Sequence, residues 1–393
     1  MIKNTSRLFI GLKEPRARLR DLLIRSSGDV AHLTGHDDII FTYKARGALN
    51  LVLDKIASDA RKEVLLPAYI CPSVVQTVER SGLKPVFYPL AENLDTDIDS
   101  IEKKVSKKTL AVLQIHYFGF ESNTAELSRL CHAYNIPLIE DWSHSFLQTD
   151  PLRLAGTCGD YQIYSLWKIA PCGVGGALRI LNGEVINANL SYPRLSVSLK
   201  QLRNTIDFPG AAFLEAIRAY LYKNHTENST FDTIEYPVND ERYSTWYPKN
   251  NDDFCTKIPI WALRLLKRWD LAEIVSLRRA NYQRYLDLFS NIDGVLPLVT
   301  ELPSSACPWA FPVLLQQRDE LAPRMRDAGV PLFTFGETMH PAQELTLAKD
   351  TELQMSVKYL IDTCLCLPLH QDITQGMIDE YAHIATKVIS RKA

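Results

Sequence analysis

What this chain lacks narrows it first. Its 44 Lys and Arg against 46 Asp and Glu leave a net charge of −2, which gives nucleic acid or an anionic membrane no electrostatic reason to bind. No window reaches the ~18 uninterrupted apolar residues of a membrane span. The opening "MIKNTSRLFIGLKEPRARLR" has too short an apolar stretch for a secretory signal. The eight cysteines contain no C-x-x-C, and none stands at zinc-ligand spacing from a histidine. That argues against a metal site or disulfide framework and for reduced thiols in the cytoplasm. Repeats and low-complexity tracts are absent too. The expectation is a soluble cytoplasmic protein without metal, nucleic-acid partner or membrane anchor.

What is present is an alternation. At 393 residues the chain is long enough for two domains, since single cores stop growing at roughly 250–300 residues. "ARGALNLVLDKIA" predicts a helix, "EVLLP" a buried strand, and "PSVVQTVERSG" a helix stopped by Gly82. "KPVFYPL", "TLAVLQIHY" and "IPLIED" continue as strands, with helices at "IDSIEKKV" and "NTAELSRLCHAYN". Short apolar strands between amphipathic helices predict βαβ units, a mostly parallel sheet covered on both faces, and hence the α/β class. Past residue 180 the pattern fades into the polar, aromatic-rich "YPVNDERYSTWYPKNNDDF", then resumes with a long helix from Ile260 to Phe289 and a block beginning at "WAFPVLL". The division expected is a large domain over residues 1–275 and a small one over 276–393.

Ligands of open α/β sheets sit beyond the carboxyl ends of the strands. There "IPLIEDWSHSF" puts Asp141 after a buried run, "QIHYFG" ends in His116 and Tyr117, and "YQIYSLWK" ends in Ser165 and Lys168. The N–H groups opening the "ARGALNLVL" helix suit a phosphate. Lys168, among Trp167, Ile169 and Ala170, either snorkels to water or uses its amine in a neutral or covalently tied form. A carboxylate at a strand end, a lysine 27 residues later, a hydroxyl and a helix N-terminus are together what pyridoxal phosphate requires. Asp141 could equally cap a helix at "WSHSF". Gly173, Gly175 and Gly176 suit a tight turn and close strand packing, and Cys364 and Cys366 suit a strand core.

The motifs "EDWSHS", "GDYQIYSLWK", "GVGGAL", "PAYICPSVVQTVERSGLKPVFY" and "CLPLHQDIT" resemble the DegT/DnrJ/EryC1/StrS family of pyridoxal-phosphate sugar aminotransferases. The resemblance runs over about residues 40–185 and 260–385. It implies the aspartate-aminotransferase-like fold type I and a homodimer whose site is built at the subunit interface, with the 230–255 segment a contributor. It implies that Lys168 forms the Schiff base and shuttles the proton, that Asp141 partners the pyridinium, and that His144 faces the phenolic oxygen. Ser165 matches the serine that donates to the phosphate, and Ala45 and Arg46 match the Gly-Thr pair opening the phosphate-binding helix.

Three departures stand out. Ser165 lies three residues before Lys168 rather than the five common in the family, Arg46 replaces a threonine, and Cys71 stands where an aromatic ring stacks on the cofactor, with Tyr69 as its substitute. Between 185 and 255 nothing carries over. The activity implied is transfer of an amino group from an amino acid, glutamate, to a keto-sugar, nucleotide-linked. The alternatives are a lyase or dehydratase, a transaminase for a non-sugar ketone, or a cofactor-free scaffold.

Overall fold

The computed structural model describes residues 15, 17–18, 39–91, 93–149, 152–156, 158–207 and 254–390. The opening segment read for a secretory signal, and the polar aromatic stretch up to Asp253, lie outside them. Most of the seven-stranded sheet comes from the alternation read above: β2 (Ile39–Thr42), β3 (Glu63–Pro67), β4 (Lys84–Tyr88), β5 (Thr109–Ile115), β6 (Leu138–Trp142), β9 (Tyr161–Ser165) and β10 (Gly176–Ile180). Its order is β2-β10-β9-β6-β5-β3-β4. The five strands from β9 to β4 run parallel, whereas β10 is antiparallel to both β9 and β2. All seven positions of β5 and all five of β6 and β9 are buried, as a sheet covered on both faces requires. Helices α1 (Ala45–Ile56), α2 (Pro72–Arg80), α3 (Ile98–Lys104) and α4 (Thr124–Ala133) supply the crossovers. α2 ends at Arg80, and Gly82 turns the chain at φ +70, a conformation that costs glycine little.

Smaller elements complete the large unit: the parallel pair β1 (Ala17–Arg18) and β11 (Ile206–Asp207), the hairpin β7 (Leu147–Thr149) and β8 (Leu152–Leu154), and helix α5 (Leu195–Thr205). The single helix expected over 260–289 is two, α6 (Ile260–Leu266) and α7 (Leu271–Phe289). Asp270 restarts the helix by accepting from the Glu273 N–H at 3.0 Å, and such a cap outweighs a continuous apolar pattern.

A second, antiparallel sheet joins β12 (Val295–Pro297), β13 (Ala310–Leu315) and β14 (Cys364–Pro368), with helices α8 (Arg318–Asp327), α9 (Pro341–Leu347), α10 (Thr351–Thr363) and α11 (Gln375–Ser390). Strand alternation divides this sheet between two apolar clusters. Phe311, Val313, Leu315, Leu365 and Leu367 pack with Tyr285 and Phe289 in one, while Ala310, Leu314, Cys364 and Cys366 join the cluster of the large sheet. Helix α7 spans the same division, giving Ile274 and Val275 to the large cluster and Tyr282, Tyr285 and Phe289 to the small one. The architecture is the expected fold type I arrangement: a large, mostly parallel α/β unit and a smaller α/β unit at the carboxyl end.

Candidate active site

The carboxyl ends of β5, β6 and β9 open on one edge of the sheet, bringing Tyr117, Asp141 and Ser165 to it. Gly176 of β10 lies in register with both Ser165 and Thr42, and a Cβ there would stand 2.3 Å from the Lys44 carbonyl carbon and 2.5 Å from the Ala45 nitrogen. Only glycine allows that approach, and it presses the first turn of α1, with Ala45 and Arg46, against the end of β9. No side chain caps α1 and its first turn holds no acidic residue, so its N–H dipoles remain available to an anion. Arg46 is half-buried, with its guanidinium 6.0 Å from the centre of the Phe254 ring.

Lys168 ends the short 3-10 turn Leu166–Lys168 that follows β9. The turn is fixed by the Leu166 N–H, which donates to the Gly175 carbonyl at 2.9 Å; Gly173 and Gly175 bend the returning chain at φ +71 and +142. The lysine is half-buried, and its Nζ stands 4.4 Å from the centre of the Trp309 ring, within cation–π range. Its charge is felt at two predicted site residues, helping to hold the Asp141 carboxyl charged and the His144 imidazole neutral.

Asp141 is buried, and burial pushes its pKa up; hydrogen bonds from Ser143 and the charges of Lys168 and His116 pull the other way. It caps no helix: the strand runs on to Trp142, and the carboxylate accepts from the Ser143 N–H at 2.8 Å, a local Asx-type turn. His144 is likewise buried, and burial, then the Lys168 ammonium, holds its pKa well below the ordinary value. Its Nδ1 accepts from the Phe118 N–H at 3.0 Å, which leaves the proton on Nε2. The ring stacks on Trp309 at 4.4 Å and on Phe118 at 5.7 Å.

Phe118 carries strain. Its φ of 56 is left-handed, rare for a bulky residue. The bond from its N–H to His144, the Trp309 N–H donating to its carbonyl at 2.7 Å, and Gly119 pressed on the Cys307 carbonyl hold it there. The ring against Lys168 is thus Trp309, which His144 and Phe118 back. Trp309 comes from the small unit, 141 residues beyond the lysine, and no spacing in the sequence signals the pairing.

Cys71 precedes α2, half-buried, with its sulfur 3.1 Å from the Ser73 hydroxyl. Tyr69 is fully buried and committed elsewhere: its hydroxyl donates to the Phe335 carbonyl at 2.7 Å, and its ring fills the space a side chain at Gly336 would occupy. The structure therefore brings together Lys168, Asp141 and His144, and separately Ser165 with Ala45 and Arg46 at the helix start. Among the described residues no cluster of three or more His, Cys, Asp or Glu could hold a metal, and no helix is long and apolar enough to cross a membrane.

Asp141, a buried carboxylate whose hydrogen bonds among the described residues come from Ser143 alone, fits a cationic ring N–H. The uncapped helix fits a phosphate. The residues present therefore fit pyridoxal phosphate.

Known proteins resemble this chain in sequence and in fold. Over 378 residues, 91% of this chain and 88% of the relative, it is 23% identical to the UDP-4-amino-4-deoxy-L-arabinose–oxoglutarate aminotransferase of Shewanella sediminis. It is 28% identical to the GDP-perosamine synthase of Vibrio cholerae over 142 residues, 35% of this chain and 38% of that enzyme. Among solved structures, the aminotransferase TlmJ of Streptoalloteichus hindustanus superposes with a TM-score of 0.65 at 19% identity, over 99% of this chain and 96% of that one. Helicobacter pylori PseC, an aminotransferase involved in the biosynthesis of pseudoaminic acid, gives 0.65 at 14%, over 100% and 98%. The family profile matches residues 27–206, the stretch that carries the α1 start, Asp141, His144, Ser165 and Lys168. That stretch is similar to the DegT/DnrJ/EryC1/StrS aminotransferase family.

Proposed function

We propose that the chain is a pyridoxal-phosphate-dependent aminotransferase that moves the amino group of glutamate to the carbonyl carbon of a nucleotide-linked keto-sugar. Glutamate leaves as its 2-oxo acid, and the sugar carbonyl becomes an amine. The observation that carries this reading is the meeting of Lys168 Nζ, the Asp141 carboxylate and a neutral His144 at one strand edge. Pyridoxal phosphate, when bound, supplies an electrophilic carbon and an electron sink.

Each residue then has a task. Asp141 keeps a ring nitrogen protonated by offering it a charge that burial makes costly to leave unpaired. His144, neutral and tied through Nδ1, presents Nε2–H as a fixed donor. Ser165 and the first turn of α1, with Arg46 beside it, hold the phosphate. Lys168 would provide the amine that holds the cofactor covalently, and the same amine would serve as the acid–base group at the reacting carbon. Trp309 lies against that amine and limits the directions in which it can point.

The donor and acceptor rest on relatives: the Shewanella enzyme is named for oxoglutarate, the keto partner of glutamate, and for a UDP-linked sugar. We further propose two domains over 1–275 and 276–393, the division falling in α7 after Val275, where the helix passes from one cluster to the other. A cytoplasmic homodimer completes the reading. Adding glutamate to the cofactor-loaded protein tests it. The visible absorbance of the bound cofactor should convert to the near-ultraviolet band of the aminated form, and a nucleotide-linked keto-sugar should restore it. No conversion with any amino donor would favour the lyase or dehydratase alternative.

A further inference from the structure

Arg278 is fully buried at the point where α7 passes between the two apolar clusters. A guanidinium stays charged in any protein, and burying it is costly unless its donors are met. Here both terminal nitrogens meet main-chain carbonyls from two distant segments. Nη2 donates to the carbonyls of Lys168 at 3.0 Å and Ile169 at 3.2 Å, while Nη1 donates to those of Trp309 at 3.2 Å and Pro308 at 3.3 Å. One arm of the fork therefore holds the lysine's own peptide, and the other holds the peptide of the tryptophan whose ring lies against the lysine amine. The same ring stacks on His144, so the loop closes through the imidazole.

We propose that Arg278 is a positioning residue for Lys168: its guanidinium ties the main chain of the lysine to that of Trp309, and the two together aim the amine. The inference rests on the reading of Lys168 given above, and Arg278 and Trp309 lie outside the 27–206 family match. A lysine stem is long and rotamer-rich. Fixing its root through the Lys168 and Ile169 carbonyls, and its tip against an indole, leaves little freedom between. A lysine at 278 would keep the charge but has one nitrogen in place of the planar fork, and it cannot serve both carbonyl pairs.

The test compares Arg278→Lys and Trp309→Phe with the native enzyme, all loaded with cofactor. Three readouts are taken: kcat and KM for glutamate, the pH titration of the cofactor's visible band, and the thermal midpoint. The expected result for R278K is a kcat reduced on the order of a hundredfold per folded site, KM for glutamate within about threefold, and a displaced titration of the visible band. W309F should displace the titration in the same direction by less. A role confined to holding the domains together would lower the thermal midpoint but leave kcat per folded site and the titration native, and that result overturns the proposal. Should R278K fail to fold, W309F decides alone: a native titration and a native kcat overturn the proposal, and a displaced titration supports it. If borohydride fixes the cofactor to Lys168 while R278K remains fully active, the assignment of the lysine stands and the bracket fails.

Discussion

Glu140 and Asp141 are neighbours on β6 and, because strand side chains alternate, they face opposite sides of the sheet. Both are buried, at 1% and 3% exposure, yet their surroundings differ in kind. Glu140 meets five donors: His116 Nε2 at 3.0 Å, Trp142 Nε1 at 2.9 Å, Gln162 Nε2 at 3.0 Å, and the N–H groups of Cys158 at 3.2 Å and Gly159 at 2.6 Å. Burial alone would raise its pKa; the donors, His116 foremost, overcome that and hold the carboxyl down at about 2. Among the described residues Asp141 has only Ser143 as a hydrogen-bond partner, and burial wins. One carboxylate is closed and serves the fold, whereas the other has few donors among the described residues and feels the charge of Lys168. An unfilled demand for positive charge in a buried carboxylate is what a binding site looks like when stability is not its purpose.

The comparison can be broken at several points. The largest effect falls on the open side: Lys168→Arg keeps a cation but cannot form the covalent link, and turnover should fall on the order of 10³-fold or more, measured as glutamate-dependent conversion of the cofactor. On the closed side, Glu140→Gln leaves several donors without a charged acceptor and should destabilise the cofactor-free chain by about 3 kcal/mol in denaturant unfolding. Asp141→Asn should do the reverse. The cofactor-free chain is as stable as the native one or up to about 1 kcal/mol more stable, while cofactor affinity, measured by fluorescence titration, drops by roughly 10- to 100-fold.

Acid sharpens the same contrast. The Glu140 pKa is depressed from 4.5, so its contribution is complete above that value and is lost as pH falls toward about 2. Asp141, with a raised pKa, has the opposite sign: the fold gains from its protonation as pH falls. The stability of E140Q should therefore depend less steeply on pH below 4.5 than that of the native chain, and D141N should depend on it at least as steeply. The smallest effect is expected for His144→Gln, which can still donate to the cofactor. Affinity and turnover should stay within about tenfold of native, whereas His144→Ala should lose more.

The open side was legible in the sequence, and much of the closed side was not. Asp141, Lys168 and the α1 start sit at strand or helix ends, where an apolar run stops against a polar residue, and linear position marks such ends. Gly176 appeared as a packing glycine, and the structure adds what it packs against. His116, His340 and His370 all tie loops: His116 accepts from the Ser122 N–H, His340 caps α9, and His370 accepts from the Asp372 N–H. The Glu140 network stayed hidden because its five donors come from four separate places in the chain and leave no periodic trace. Trp309 and Arg278 were hidden for the same reason, since they reach Lys168 only through tertiary packing across more than a hundred residues. The break between α6 and α7 was missed because apolar periodicity continues through Trp269 and Leu271 and masks the cap at Asp270.

Reducing the cofactor-loaded protein with borohydride and mapping the labelled peptide tests the central assignment most directly. The account predicts that the cofactor is fixed to the peptide containing Lys168 and to no other lysine. Label on a different lysine, or a folded protein that takes up no pyridoxal phosphate, would contradict it.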